Sequence, residues 1–314
     1  MKKLAVVAFG GNALLLSGQK GTIEEQKQNA DEALKNLLKL IINDYNLVLT
    51  HGNGPQVGNI LLSDAAGQKN NGLPPMPLDI LVAYSQGFIG YILEQQLRNI
   101  FTKYDIHTDI ITLVTQVLVN KDDPAFQSPT KPIGPYYSAE EAKGFMKISS
   151  DTYVEDKNRG GWRKVVASPR PMAISNTQSI EQMARNGKIV ITVGGGGVPV
   201  IYAEGKKVEG IDAVIDKDLA SSLLARQIGA DKLFILTDVP KVFLDYGTPQ
   251  EKAIDKMTLM QAKEYLAAGQ FGKGSMEPKV RAAVEFVENT GKDAIITKTT
   301  LLGIDNGGTR IVIS

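Results

Sequence analysis

Two lysines stand where the helix dipole disfavours a cation. Lys217 in "AVIDKDLASSLLA" and Lys279 in "GSMEPKVRAAVEF" both fall in the first turn of an expected helix. Helix capping by aspartate accounts for Asp216 but not for Lys217. Each lysine alone reads as a solvated side chain. As a pair they suit a site for a ligand with several negative charges, as phosphoryl transfer requires for positioning and electrostatic stabilisation. Three glycine loops point the same way: Gly10-Gly11-Asn12, Gly52-Asn53-Gly54 and Gly194 to Gly197 each follow an apolar, strand-like run. Glycine lets the backbone approach closely, and a helix N-terminus presents free N–H groups to phosphate or carboxylate. A tight strand-to-helix turn would use the same residues, so one loop leaves both readings open. Three loops at strand ends favour a phosphorylated ligand.

Familiar nucleotide signatures do not fit. "GNGPQVG" has one residue too many for G-x-G-x-x-G, "GGGGVP" has proline late in the pattern, and "FGKGS" lacks the glycine five positions before Gly272. The 314 residues include no cysteine, which excludes thiolate chemistry and zinc–sulfur sites, and only two histidines, His51 and His107. A net charge of +1 gives no global field toward nucleic acid or an anionic membrane. "MKKLAVVAFGG" begins like a secretion signal, but its apolar run is too short, and no other run is long enough to span a bilayer. A soluble, cytoplasmic protein is expected.

The elements that must position these residues alternate along the chain. "KLAVVAF", "NLVLT" and "TDIITLVTQVLV" (Thr108–Val119) read as strands, as do "KIVIT", "DKLFILTDV", "DAIIT" and "TRIVIS". Between them lie helical stretches: one opens on a Thr22/Glu25 capping box, and "LDILVAYSQGFIGYILEQQLRNIF" is apolar enough to be packed on both sides. "DKDLASSLLARQIG", "TLMQAKEYLAAG" and "MEPKVRAAVEFVENTG" follow in the second half. Such alternation predicts an α/β chain with a mostly parallel sheet covered on both faces, its ligands beyond the carboxyl ends of the strands. Residues 120–165 interrupt it with proline, aromatics, Gly160-Gly161 and the single tryptophan, Trp162, and read as an irregular lid. Within it the prolines of "SPTKPIGP" predict that Lys131 sits in a turn without secondary structure.

"FGGNALL", "THGNGPQVG", "YSQGFIGY", "DPAFQSPTKPIG", "NRGGWRKVVASPRP", "TVGGGGVPV", "AVIDKDLAS", "LTDVPKV" and "GSMEPKVRAA" occur in this order from one end to the other. With these motifs the chain closely resembles the carbamate kinases of the amino acid kinase superfamily over essentially its whole length. One small departure is Phe9, where leucine is commoner.

The resemblance implies a three-layer α/β/α sandwich around an open, mainly parallel eight-stranded sheet, with a small protruding lid subdomain. An acceptor lobe would span residues 1–205, including the lid at 120–165, and a nucleotide lobe residues 206–314. Implied chemistry is reversible phosphoryl transfer between ATP and carbamate with Mg²⁺, mostly run toward ATP from carbamoyl phosphate in arginine breakdown. The metal would be held by the nucleotide phosphates rather than by the protein. By the same resemblance Gly10, Gly11, Asn12, Gly52, Asn53 and Gly54 hold carbamate and the transferred group. Lys217 and Lys279 neutralise charge with Asp218 bridging them, and Lys131 adds a third cation from the lid. Asp216, Thr237, Asp238, Val239, Tyr246 and Met276 lie along the nucleotide. Carbamate is already an anion, so no general base is needed and His51 reads as structural. A homodimer is implied, and no nucleic-acid or membrane partner. Rival readings are another kinase of the superfamily, with a wider acceptor pocket, or a non-catalytic nucleotide-binding protein, which would have lost the lysine–aspartate set.

Overall fold

The computed structural model describes residues 2–10, 14–16, 18–149, 151–156 and 160–314. Its centre is an eight-stranded sheet in the order Lys256–Thr258, Gly308–Val312, Ala294–Lys298, Lys232–Thr237, Lys3–Phe9, Tyr45–His51, Ile189–Ile191 and Ile110–Thr112. All neighbours pair in parallel except Ala294–Lys298 with Gly308–Val312, so the first two strands run against the other six. Lys3–Phe9 pairs with Tyr45–His51 on one side and Lys232–Thr237 on the other, which carries one sheet through both halves of the chain.

Side-chain alternation along the strands sorts the core into two layers. Leu4 and Val6 pack, with Val48, Leu233 and Ile235, against the helices Thr177–Arg185, Lys217–Gln227 and Met276–Thr290. Ala5, Val7 and Phe9 face the opposite layer, with Leu47, Leu49 and Phe234, under the helices Ile23–Lys35 and Leu78–Lys103. The continuous apolar strands belong to a sheet buried on both faces, as expected of parallel strands. The Thr22 capping box forms: its hydroxyl accepts from the Glu25 N–H at 3.2 Å, and the Glu25 carboxylate accepts from the Thr22 N–H at 2.9 Å.

Three local expectations are corrected. Thr108–Val119 is not one strand but two, Ile110–Thr112 in the main sheet and Gln116–Val119 in a separate four-stranded sheet. The chain breaks at Thr115, which Gln86 brackets: the Thr115 N–H donates to Gln86 Oε1 at 2.9 Å and Gln86 Nε2 donates to the Thr115 carbonyl at 3.1 Å. The Leu78–Lys103 helix buries one face only. Ile80, Tyr84 and Tyr91 stand 41, 57 and 60 % exposed on the other.

The 120–165 segment is far from irregular. It forms an antiparallel sheet of Lys131–Tyr137, Trp162–Val166 and Thr152–Glu155, with the helix Ala139–Ile148 beside it. Tyr137, Phe145 and Tyr153 make its small aromatic core, with ring centroids 5.1 to 5.7 Å apart. Lys131 therefore opens a strand rather than sitting in a turn. Pro132 and Gly134 hid the alternation, since neither is a usual strand former. The insertion is seated on the helix Gly54–Asn71 through two glycines in backbone contact: a Cβ on Gly58 would lie 2.0 Å from the Gly134 Cα.

Candidate active site

The carboxyl ends of the central strands carry the loops. Gly10 ends Lys3–Phe9, and Gly52 and Asn53 lead from Tyr45–His51 into the helix that begins at Gly54. The Gly52 N–H donates to the Phe9 carbonyl at 3.2 Å, which ties the two loop starts together. Gly11 and Asn12 lie outside the described residues. Among the described residues beyond its chain neighbours, a Cβ on Gly54 would meet no atom within 4 Å. Asn53 is buried and donates through Nδ2 to the Ser85 hydroxyl at 2.9 Å, so its side chain does not cap the helix whose N-cap position it occupies.

The third glycine loop plays a different part from the one its composition suggested. Gly194 to Gly197 are buried and pack beneath the other elements. A Cβ on Gly194 would lie 2.3 Å from His51 Nε2, on Gly195 2.1 Å from Asn53 Nδ2, and on Gly196 2.5 Å from the Ile215 carbonyl. Gly195, Gly196 and Gly197 also have positive φ, which favours glycine. This loop is a floor on which the loop from His51 to Asn53 and the approach to the Lys217 helix at Ile215 rest side by side. A hydrogen bond of 2.6 Å between the Thr50 and Ser221 hydroxyls joins the same two elements.

On that floor the charged residues form a chain. The Asp216 Oδ1 caps the helix Lys217–Gln227, accepting from the N–H groups of Asp218 at 2.9 Å and Leu219 at 3.3 Å. Its other oxygen accepts from Lys131 Nζ at 2.7 Å. Asp218 receives Lys217 Nζ at 2.6 Å on one oxygen and Lys279 Nζ at 3.0 Å on the other. Lys217 and Lys279 come from the first turns of two helices, so both positive helix ends and both lysines converge here.

Electrostatics follow from burial and pairing. Burial alone would raise the Asp218 pKa, but Lys217 and Lys279 hold it well below the usual carboxylate range. Burial would likewise raise Asp216, and Lys131 beside it keeps that carboxyl below its ordinary value. Burial pulls Lys217 below the usual lysine value, Asp218 opposing and Lys279 adding to the fall. For Lys279 burial is outweighed by Asp218, with Asp238 contributing, and its pKa is raised. Lys131 and Asp216, and Lys217 and Lys279 around Asp218, thus form one connected set of charges, with Asp238 near enough to act on Lys279. His51 is 1 % exposed and its pKa is pushed down to about 4 by burial, against a hydrogen bond to the Gly52 carbonyl and with Lys217 lowering it further. It is neutral at pH 7, with its Nδ1–H engaged.

Thr237 ends the strand Lys232–Thr237, and Thr237 and Asp238 line a cavity of about 510 Å³ together with Gly10, Asn29, Glu32 and Lys298. Val239 follows, half-buried. Met276 begins the Lys279 helix and packs on the core. Tyr246 is 65 % exposed beyond the strand Val242–Leu244, touching Phe243 at 5.8 Å between ring centroids. Among the described residues no group of three or more histidine, cysteine, aspartate or glutamate side chains could hold a metal ion. Ser85, Thr50, Ser221 and Gln86 support the site without having been singled out in the sequence. "YSQGFIGY" was the available signal, with two small polar residues inside an apolar helix.

The amino acid kinase family model matches residues 3–298, and the chain belongs to that family. Within it, the chain is 47 % identical over 94 % of each chain to a carbamate kinase of Pyrococcus horikoshii. It is 48 % identical to that of Thermococcus kodakarensis, over 94 % of this chain and 93 % of the other. Among solved structures it resembles the Giardia lamblia carbamate kinase bound to AMP-PNP, with 43 % identity, a TM-score of 0.90 and coverage of 99 and 98 %. The kinship and the eight-stranded fold are as the motifs implied. No helix among the described residues is long and apolar enough to cross a membrane.

Proposed function

We propose that the chain is a carbamate kinase, transferring phosphate reversibly between ATP and carbamate and working in cells toward ATP from carbamoyl phosphate. The observation that carries this reading is the buried Asp218 holding two lysines at two helix starts, directly beside a backbone-lined loop. Relatives named as carbamate kinases over nearly their whole length support the choice of acceptor. Carbamate has few atoms for side chains to grasp, so Gly10, Gly52, Asn53 and Gly54, with Gly11 and Asn12, would surround it by backbone. As an anion its oxygen attacks without a base, which agrees with a His51 that stays neutral and hydrogen-bonded to its own loop.

Lys217 and Lys279 would then neutralise the phosphates and the in-line transition state, and Lys131 would reach the transferring group from the insertion, acting as a lid. Asp216, Thr237, Asp238, Val239, Met276 and the exposed Tyr246 would border the nucleotide. Among the described residues the carboxylates do not form a cage for Mg²⁺, and Asp216 and Asp218 are paired with lysines. The ion would come held by nucleotide phosphates and water, its common mode of binding, and supply further charge neutralisation. An acceptor lobe at 1–205 and a nucleotide lobe at 206–314 would share one sheet through the pairing of Lys3–Phe9 with Lys232–Thr237. The exposed Ile80, Tyr84 and Tyr91 face of its helix supports a homodimer, because a stripe of that kind favours a partner. A role in arginine breakdown and a cytoplasmic site belong to the same proposal.

A coupled assay for ATP from ADP and carbamoyl phosphate tests it directly. Absence of ATP formation, or turnover of acetylglutamate at a rate matching carbamate in the forward direction, would remove the reading.

A further inference from the structure

The first turn of the helix Gly54–Asn71 carries a polar side chain that the phosphoryl chemistry does not use. Gln56 is 4 % exposed and lies two residues beyond Gly54. A glutamine at this position of a helix can fold back on its own N-cap. Gln56 reaches instead to the neighbouring helix Ile23–Lys35, donating through Nε2 to Gln26 Oε1 at 3.1 Å. Gln26 Nε2 donates in turn to the Gly21 carbonyl at 2.9 Å. A backbone carbonyl only accepts, so this end of the relay fixes which way both amides face. What remains is Gln56 Oε1, which is buried and has no hydrogen-bond partner among the described residues. An unpaired buried acceptor is thus held in the first turn of the helix that follows the Gly52–Asn53 loop, its orientation set two side chains away.

We propose that Gln56 Oε1 receives the amino group of carbamate and of carbamoyl phosphate, and that this contact separates them from acyl compounds of the same shape. The assignment rests on the carbamate reading above. Carbamate and acetate share a planar carboxylate and differ at the third corner, where nitrogen donates hydrogen bonds and a methyl group does not. A buried acceptor left unmet by the wrong ligand discriminates more strongly than a shape difference would. Because the Gln56 amide nitrogen is already engaged by Gln26, the free atom is a pure acceptor and matches a donor-only corner.

Rates of ATP formation from ADP are measured with carbamoyl phosphate and with acetyl phosphate, for the wild type, Gln56→Met and Gln26→Met. The wild type is expected to favour carbamoyl phosphate in kcat/KM. Gln56→Met should shrink that preference by about tenfold or more, through loss on carbamoyl phosphate with acetyl phosphate little changed. Gln26→Met should shrink it less, since the Gln56 amide can then rotate. If Gln56→Met does not fold, Gln56→Asn replaces it, because the shorter amide withdraws the same acceptor. Equal losses on both substrates, a Gln26→Met variant with the full preference, or a wild type indifferent to the two phosphates would each overturn the assignment. A wild type that makes no ATP from carbamoyl phosphate overturns the carbamate reading itself. That failure is distinct from an active enzyme whose variants keep their preference.

Discussion

Lys131→Ala separates a charge that acts on the reaction from one that merely anchors the insertion. In the structure Lys131 Nζ lies 2.7 Å from Asp216 Oδ2, with the two side chains 28 and 17 % exposed. A partly exposed ion pair of this kind contributes at most about 1 kcal/mol to stability. For a chain of 314 residues that amounts to a melting shift of at most about 2 °C. An oriented charge on a developing transition state is worth more, about 10²–10³-fold in rate. Lys131→Ala is therefore expected to fold with a small loss of Tm and to lower kcat by roughly 10²-fold or more, with ADP affinity little changed. Lys217→Ala should weaken both. Asp216→Asn supplies the control, because asparagine keeps the oxygen that caps Asp218 and Leu219 while dropping the charge that holds Lys131. Were Lys131 only a tether to Asp216, the two variants would lose activity equally. With its charge acting on the transferring group, Asp216→Asn keeps most of the rate. Steady-state ATP formation and calorimetric titration of ADP read both quantities. A loss in kcat under about twofold, as for a solvated lysine, refutes the reasoning; so does an equal loss in nucleotide binding and rate.

His51 should make the fold acid-sensitive above the range of the carboxylates. Its pKa falls from about 6.5 in an unfolded chain to about 4 in the protein, so the folded state binds fewer protons. Its contribution is complete above pH 6.5 and is lost as pH falls toward 4, up to about 3 kcal/mol. Urea unfolding at pH 7 and pH 4.5 should show a loss that His51→Asn largely removes; an unchanged loss in the variant would assign it elsewhere. The same variant should keep most activity at pH 7, and a drop of ~10²-fold or more would mean that a general base had been removed. Gly54→Ala should raise the KM for carbamoyl phosphate about tenfold, a methyl's worth of exclusion, while Tm and ADP affinity hold; alanine is chosen because residues before proline tolerate helical backbone poorly. Outright unfolding would make Gly54 a turn residue only. Gly58→Ala forces a Cβ into Gly134 and should unseat the insertion, visible as faster proteolysis within 120–165 together with a rate loss like that of Lys131→Ala. Wild-type behaviour in both measurements would show that the seat does not depend on this contact.

Much of this was legible because short-range chemistry determines it. The central strands announce themselves by β-branched runs, and the Thr22 capping box needs only four residues of sequence. The convergence of Lys217 and Lys279 could be anticipated from their awkward helical positions, since two cations against two dipoles imply a common compensating partner. Asp218 is that partner within the chain, and in the proposed reaction a ligand phosphate would add to it. The break at Thr115 was not legible, because its cause, the Gln86 amide, lies 29 residues away. The insertion's sheet was obscured for a similar reason: Gly134 is in its strand for the sake of Gly58 on another element, and locally it reads as a breaker.

The glycines divide into two kinds that a sequence writes identically. At Gly54 a Cβ would meet no atom within 4 Å among the described residues beyond its chain neighbours, so only the following Pro55 restricts a side chain there. At Gly194, Gly195 and Gly196 a side chain would strike His51, Asn53 and Ile215, so those glycines serve packing and leave no room for a ligand. The two kinds depend on each other. A loop that grips a small anion by its backbone has no side chains of its own to hold it in place, so its rigidity must come from beneath. The floor loop supplies that through direct contact with His51 and Asn53, and the Asn53–Ser85 hydrogen bond completes it from the side. His51 then earns its place by volume rather than by acid–base chemistry: a full imidazole, neutral and buried, fills the space that Gly194 leaves and holds the Gly52 carbonyl. If the Gly52–Gly54 loop is the acceptor site proposed above, its most constrained glycines would lie one layer below the ligand, where a motif search directed at phosphate loops would misassign them.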